Sequence, residues 1–292
     1  MTGTLTLFTS DGKVAAAKPV NLSPMASTNL SIQTTFNTTP QSGYVSAVFS
    51  SPVAAFESFG GGSALNQMAV QPPASQGSLF IPFIAGGSSF QTDVNLINLS
   101  DQIVAVQAEL FTGSGTQVGS TQLITMFPGD QLASSIQQIF SQSPEMGYVR
   151  LDLPQLYKGF FSYYPTITGM ARIRSSQGGS TVVPLSAYPL ADAFVLGDGT
   201  SAGGFEGIAF VNPTASNVSV SLQALNLDGS VAAVSNVTLS GGQVVSQLTN
   251  QLFNGGLPAQ TVIRVTSSAP IAVTAISGTS ALDQIRSLPV LR

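Results

Sequence analysis

Most of the chain consists of short runs in which apolar and polar residues alternate, separated by turn residues. In the run from Phe90 to Leu99, the side chains of Val94, Leu96 and Asn98 fall on one face. This alternation is typical of a strand with one buried side. Breaks such as Pro128-Gly129-Asp130 mark the turns between such runs. The pattern therefore predicts antiparallel β structure with almost no helix.

Three short segments depart from the alternation. Apolar residues recur at three- to four-residue spacing in Ile136–Phe140, again in Leu248–Phe253, and more loosely in Leu30–Phe36. This spacing indicates a single helical turn or a 3₁₀ segment. We expect each segment to close one end of a hydrophobic core.

The chain repeats itself. The segments Gly43–Val48, Gly147–Asp152 and Thr261–Thr266 recur at spacings of about 104 and 114 residues, and each precedes an apolar strand-like run. A period of this length suits tandem domains rather than solenoid turns. About seven short strands for each period predict an all-β fold of three tandem immunoglobulin-like antiparallel β-sandwich domains. The predicted units are unit 1 (residues 1–74), unit 2 (75–189) and unit 3 (190–292).

Unit 1 is predicted to lack its opening strands. Its first strand-like run, which includes Leu5, Leu7 and Phe8, corresponds to the third strand of unit 2, so residues 79–102 have no counterpart. A sandwich without two strands leaves backbone groups and an apolar face open. Leu5, Leu7 and Phe8 are therefore the candidate strand-exchange edge. The missing strands leave three alternatives. They are supplied by an upstream segment of a longer chain, they are supplied by another copy, or unit 1 is a shortened but closed domain.

The composition of the chain argues against several classes of function. Charged residues make up only 8% of the chain, the net charge is −4, and His and Cys are absent. The absence of both removes the commonest general base, the usual zinc ligands and every thiol, so we expect no enzyme, no catalytic residue, no metal site and no cofactor. The charge pattern argues against nucleic-acid binding. No apolar stretch reaches the roughly 18 residues of a spanning helix, so membrane insertion is not expected.

Two Asp-Gly pairs invite comparison with calcium loops. They lie at Asp11-Gly12 and Asp228-Gly229, whereas unit 2 has Ser114-Gly115 in the equivalent place. A calcium site needs six to eight oxygen ligands, while Asp-Gly supplies the positive φ that hairpins require. Hairpin turns are the favoured interpretation.

An aromatic strand in unit 2 is the candidate binding surface. Alternation places Phe161 and Tyr163 on the face opposite Ser162, so the rings cannot all enter one core. Together with Tyr157, Arg172 and Arg174 they form a candidate glycan or interface surface. The alternative is that the outward rings pack against a neighbouring domain.

The repeat also resembles a known family. Ile81–Gly87, Phe90–Asn98, Phe127-Pro128-Gly129 and Gly147–Arg150 resemble the tandem immunoglobulin-like modules of secreted and cell-surface proteins of soil bacteria. Unit 3 departs from this pattern with Leu239–Gly242 in place of the Pro-Gly turn. The resemblance implies an extracellular or cell-surface setting and a spacer, adhesive or filament-forming role, and it carries no catalytic residues.

The expected function is that of a non-enzymatic extracellular structural protein. It would build a stalk, fibre or layer from β-sandwich repeats, with strand exchange between chains. Its partners would be other copies of the same chain or an upstream segment. The alternative is a carbohydrate-binding or adhesion module that binds polysaccharide through the aromatic strand.

Overall fold

The computed structural model describes the whole chain except residues 39–41, 54, 60–65, 70–73, 76, 187–188, 198–203, 256, 258–260 and 292. The fold is all-β, with 60% strand and 5% helix arranged in several antiparallel sheets, as the alternation predicts. The unit boundaries at 74/75 and 189/190 stay predictions. The short strand at the first boundary pairs with a strand of unit 2.

The elements follow in chain order. Unit 1 contains β1 (Thr2–Thr9), β2 (Val14–Asn21), α1 (Ile32–Phe36), β3 (Gly43–Phe49), β4 (Phe56–Phe59), β5 (Asn66–Ala69) and β6 (Ala74–Ser75). Unit 2 contains β7 (Ser78–Ala85), β8 (Phe90–Asn98), β9 (Val104–Thr112), β10 (Gln122–Met126), β11 (Gln131–Ser135), α2 (Ile136–Phe140), β12 (Met146–Asp152), β13 (Leu156–Lys158), β14 (Phe161–Tyr163), β15 (Thr166–Ser175) and β16 (Ser180–Pro184). Unit 3 contains β17 (Leu190–Leu196), β18 (Gly204–Val211), β19 (Val218–Leu225), β20 (Val231–Leu239), β21 (Val244–Leu248), α3 (Thr249–Leu252), β22 (Val262–Thr279), β23 (Ile285–Leu288) and β24 (Val290–Leu291).

Unit 2 is a sandwich of a four-stranded sheet, in the order β10-β9-β12-β7, and a five-stranded sheet, in which β6 pairs with β15 beside the order β11-β8-β15-β16. Val94 and Leu96 of β8 enter the core between the sheets, as their alternation predicts. The predicted helical segment is α2, whose first turn is held by a capping box between Ser135 and Gln138. Phe140 at its end is buried and closes one end of the core.

Unit 3 repeats this arrangement with one long strand. The first half of β22 pairs with β19 and β17, and its second half pairs with β18 and β23. The same 18-residue strand therefore belongs to both sheets. It replaces two separate strands of unit 2, β12 and β15.

Units 2 and 3 each have a core cluster of their own and pack closely against each other. Ala209 of β18 is buried in the core cluster of unit 2, and Ile276 of β22 packs against the same cluster. The outer face of one unit 3 sheet thus covers the side of the unit 2 sandwich between β7 and β16. Since strands buried on both faces need apolar residues at successive positions, this contact explains the unbroken apolar runs in β7 and β18.

Unit 1 has a single three-stranded sheet, in the order β2-β1-β3, beside the β4–β5 hairpin. Leu7 and Phe36 are the only buried hydrophobic residues in its described part. Its β5 lies next to β16 and β23 of the other units.

Successive units meet through the same contact. The β1–β2 hairpin tip of unit 1 reaches the turn before β11, where the N–H of Gln131 donates to the Ser10 carbonyl at 2.8 Å. The β9–β10 hairpin tip of unit 2 reaches the turn before β21, where the N–H of Val244 donates to the Gly113 carbonyl at 2.9 Å. A stacked ring pair stands beside each contact, Phe8–Tyr44 in unit 1 and Phe111–Tyr148 in unit 2.

The Asp-Gly pairs form hairpin turns, as predicted. The N–H of Gly12 donates to Thr9, the N–H of Gly229 donates to Asn226, and both glycines have φ in the left-handed region, +75° and +81°. In these two turns the glycine of each Asp-Gly pair therefore provides the left-handed backbone conformation that the hairpin needs.

Candidate functional site

A hairpin that unit 3 lacks projects from unit 2. Residues 153–165, which we call the finger, are inserted between β12 and β15 and carry the small ribbon β13–β14. In unit 3 the corresponding path runs straight through β22. The side chains of Tyr157, Phe160 and Phe161 are 72%, 103% and 80% exposed. Three large aromatic side chains therefore stand in solvent on an added segment, which is typical of an interaction element.

The two faces of the finger differ. Tyr157 is opposite Ser162 and Lys158 is opposite Phe161, so Tyr157 occupies one face while Phe161 and Tyr163 share the other. The predicted alternation of Phe161 and Tyr163 against Ser162 is confirmed. The Lys158 Nζ lies 3.6 Å from the Asp101 Oδ2, which ties the finger loosely to the loop after β8.

The structure separates the two arginines from the finger. Arg172 and Arg174 lie on the outer face of β15, six and eight residues beyond its start at Thr166. At about 3.3 Å per residue, they lie roughly 20 to 26 Å along the strand from the base of the finger. The Arg174 Nη2 is 2.6 Å from the Asp93 Oδ2, whereas Arg172 is exposed without a partner among the described residues. The five predicted residues therefore do not form one surface.

The open edge of unit 1 is β3 and not the strand that carries Leu5, Leu7 and Phe8. That strand, β1, is hydrogen-bonded to β2 on one side and to β3 on the other, so its backbone groups are already paired. In unit 2 the strand equivalent to β3 is β12, which pairs with both β9 and β7. Among the described residues, no strand pairs with the second side of β3.

The apolar face of β3 is also exposed. Leu7 is opposite Val45 in unit 1, just as Leu110 is opposite Val149 in unit 2. Leu110 and Val149 are buried, whereas Val45 is 36% exposed. Sequence reasoning missed β3 because the edge depends on the spatial order of strands. A signal for it was nevertheless present. Unit 1 lacks the counterpart of β7, and β7 is the strand that pairs with β12, the equivalent of β3.

A mainly apolar cleft lies between units 2 and 3, with a volume of about 400 Å³. Unit 2 contributes Phe83, Phe90 and Ile173, and unit 3 contributes Phe205, Leu248 and Ile276. Sequence analysis did not anticipate it, because it arises where two units meet. Its chemistry suits a hydrocarbon or aromatic group.

Several charged groups of the described residues form separate ion pairs. Arg150 contacts Glu109 at 2.7 Å and Asp152 at 2.9 Å, and Arg264 contacts Asp192 at 2.8 Å. A hydrogen bond from Arg264 lowers the pKa of Asp192. Within the part of the chain that the structure describes, no three acidic residues lie close enough to hold a metal ion.

No described helix is long and apolar enough to cross a bilayer. No protein-family model matches the chain, and no curated protein shows significant similarity to it. The candidate surfaces therefore rest on geometry alone: the β3 edge, the finger and the cleft.

Proposed function

We propose that this chain is a non-enzymatic structural protein of the extracellular space or cell surface, whose copies associate into a stalk, fibre or layer. The observation that carries the proposal is the open β3 edge, beside which apolar side chains are exposed. A second chain that adds a strand to β3 would pair its free backbone groups and cover this face.

The composition of β3 supports this proposal. Natural edge strands are protected by charged residues, by proline or by covering segments. The seven residues of β3 include none that is charged and no proline. The strand at the opposite edge of the sheet, β2, has both Lys18 and Pro19. Of the two edges, β3 is the one suited to pairing between chains.

Light scattering over a hundredfold dilution tests the proposal with a matched pair of variants. Val48 on β3 is 68% exposed and Val14 on β2 is 61% exposed, so both accept a lysine without loss of buried packing. We expect the wild type and Val14→Lys to have masses above 30 kDa at high concentration. Val48→Lys should remain monomeric. A wild type that is monomeric throughout, or two variants that behave alike, would contradict assembly through β3.

The three predicted units serve this function as spacers of similar size. We use the term immunoglobulin-like for the two-sheet architecture of units 2 and 3. In the immunoglobulin arrangement the first, second, fourth and fifth strands share a sheet. In unit 2 the first, third, fourth and sixth strands, β7, β9, β10 and β12, share one instead.

The finger favours a second candidate function, binding of an insoluble polysaccharide. Sugars stack on exposed aromatic rings, and the finger presents them on both faces. Because Tyr157 and Phe161 lie on opposite faces, Tyr157→Ala and Phe161→Ala should weaken retention on the polysaccharide unequally. Leu227→Ala, at a side chain 78% exposed on unit 3, is the matched control. Retention unchanged in both finger variants would exclude this role.

A further inference from the structure

The finger and the cleft are chemically complementary. The finger tip presents Phe160 and Phe161, which have no hydrogen-bonding group in their side chains and are almost fully exposed. Apart from Thr181 and Ser280, the residues that line the cleft between units 2 and 3 are apolar. The finger tip and the cleft each expose apolar surface to water. A contact between them would bury both surfaces, which is favourable.

The sizes also agree. An apolar cavity of roughly 150 Å³ is enough for a benzene ring. The cleft, at about 400 Å³, has room for the rings of both phenylalanines. It opens at Ser280, an exposed residue on its rim, so a projecting hairpin can enter from solvent.

The finger does not fill the cleft of its own chain, since Phe160 and Phe161 are exposed. The finger leaves unit 2 beside the start of β7, where the N–H of Leu153 donates to the Gly77 carbonyl. The cleft lies at the other end of that strand, at Phe83 and Ala85. Seven residues of extended strand separate Ser78 from Ala85, about 24 Å at 3.4 Å per residue. The finger and the cleft therefore lie at opposite ends of unit 2.

We propose that Phe160 and Phe161 of one copy dock in the cleft between units 2 and 3 of a second copy. The contact is heterologous, because the surface used on one molecule differs from the surface used on the next. Contacts of this type extend into open arrays unless the rotation between copies closes a ring. The proposal rests on the self-association proposed above and adds a contact separate from the β3 edge.

Cysteine cross-linking tests this contact directly, because the wild-type chain has no cysteine. Lys158→Cys, at an exposed finger position opposite Phe161 that leaves both rings in place, and Ser280→Cys at the rim of the cleft are prepared as two proteins, mixed and oxidised. We expect a disulfide-linked heterodimer as the main product. Ser120→Cys, at an exposed serine of the β9–β10 hairpin, replaces Ser280→Cys in the control mixture and should give little heterodimer. Equal yields in the two mixtures would overturn the proposal.

A second measurement separates this contact from assembly through β3. Phe160→Ser with Phe161→Ser removes both rings at exposed positions and should raise the dissociation constant for self-association by about thirtyfold, as expected for a central aromatic anchor. Unchanged association that still depends on Val48 would overturn the docking contact and leave the β3 proposal intact. Loss of polysaccharide or vesicle binding with unchanged association would assign the finger to another partner and also overturn the proposal. A monomeric wild type would overturn both.

Discussion

Asn98 and Asn212 are fully buried side chains that hold the same loop in successive units. The Nδ2 of Asn98 donates to the carbonyls of Gln102, Met126 and Phe127, and its Oδ1 accepts from Ser100. Asn212 donates to three carbonyls of unit 3 in the same way. Each asparagine ties the end of one strand to the turn that contacts the preceding unit.

Replacement of Asn98 should be costly. Asn98→Ala leaves buried carbonyls without donors, so we expect the free energy of unfolding to fall by about 2–4 kcal/mol. Urea denaturation measures the change. Asn95→Ala, on the outer side of the same strand, is the control and should cost well under half as much. Equal losses would mean that the hydrogen bonds of Asn98 contribute little.

Tyr148 makes the contact between units 2 and 3 sensitive to alkali. Burial is the main cause of its raised pKa. Below the ordinary tyrosine pKa of about 10 the stabilisation is complete, and it is lost as pH rises towards the folded value, because only the unfolded chain has released its proton. Between pH 9 and 11 the melting temperature of Tyr148→Phe should fall less than that of the wild type. Tyr157→Phe, on the finger, should follow the wild type.

At the scale of residues, the sequence predicted which side chains are buried better than it predicted their hydrogen-bond partners. The alternation in β8 placed Asn98 on the core face, and it is buried there. Its partners lie up to 29 residues away, at the turn that Pro128-Gly129-Asp130 predicts, but no local pattern reveals that this turn lies beside Asn98. The same limit applies to Arg172 and Arg174, which are close in sequence to the finger but far from it along an extended strand.

Hairpin glycines are the elements that let successive units meet. At Gly12 an added Cβ would lie 2.8 Å from the Gly129 backbone, and at Gly115 it would lie 2.7 Å from the Gly242 carbonyl oxygen. Gly229 has the same turn geometry in unit 3, and its Cβ would meet nothing within 4 Å. Substitution at Gly229 would therefore cause backbone strain alone, whereas substitution at Gly12 or Gly115 would also disturb a contact between units.

Gly115→Ala and Gly229→Ala form a matched pair, since their φ values are +84° and +81°. Both pay the strain of a left-handed alanine, about 1 kcal/mol, but only Gly115→Ala forces the units apart. We expect Gly115→Ala to lower the melting temperature several degrees further and to enlarge the radius of gyration in small-angle scattering. Equal effects in the two variants would mean that the contact is loose.

Predictions for individual elements succeeded where the signal was local. The three helical segments and the Asp-Gly hairpins are present because spacing and turn chemistry act within a few residues. The edge of unit 1 was placed on β1 instead of β3, because strand order depends on pairings across tens of residues. The finger was read as a single aromatic strand, although Gly159 with φ of +64° folds it into a ribbon.

At the scale of the molecule, stability should be unevenly distributed. Units 2 and 3 share buried residues, whereas the described part of unit 1 buries only Leu7 and Phe36 among its hydrophobic side chains. Amide hydrogen exchange of the dilute chain should therefore be roughly a hundredfold faster in β1–β3 than in β8, β15 and β18. On assembly, β3 should gain protection while β2 gains less. Uniform protection of the dilute chain would indicate a single cooperative body.

The packing of unit 3 against unit 2 also sets a limit on inference from repeats. A period near 105 residues predicts tandem domains, each with its own core, and units 2 and 3 do have separate core clusters. The unbroken apolar runs of β7 and β18 were the available sign that these strands are covered on both faces. Periodicity alone does not show which faces meet.

The hairpin-to-turn contact occurs twice with the same donor and acceptor positions, Gln131 to Ser10 and Val244 to Gly113. Because equal contacts relate neighbours by similar operations, each step along the chain approximates one rotation combined with one translation. Further steps of that kind trace a screw axis. A fibre built from such units would then have a regular pitch, visible as layer lines in the Fourier transform of its electron micrographs.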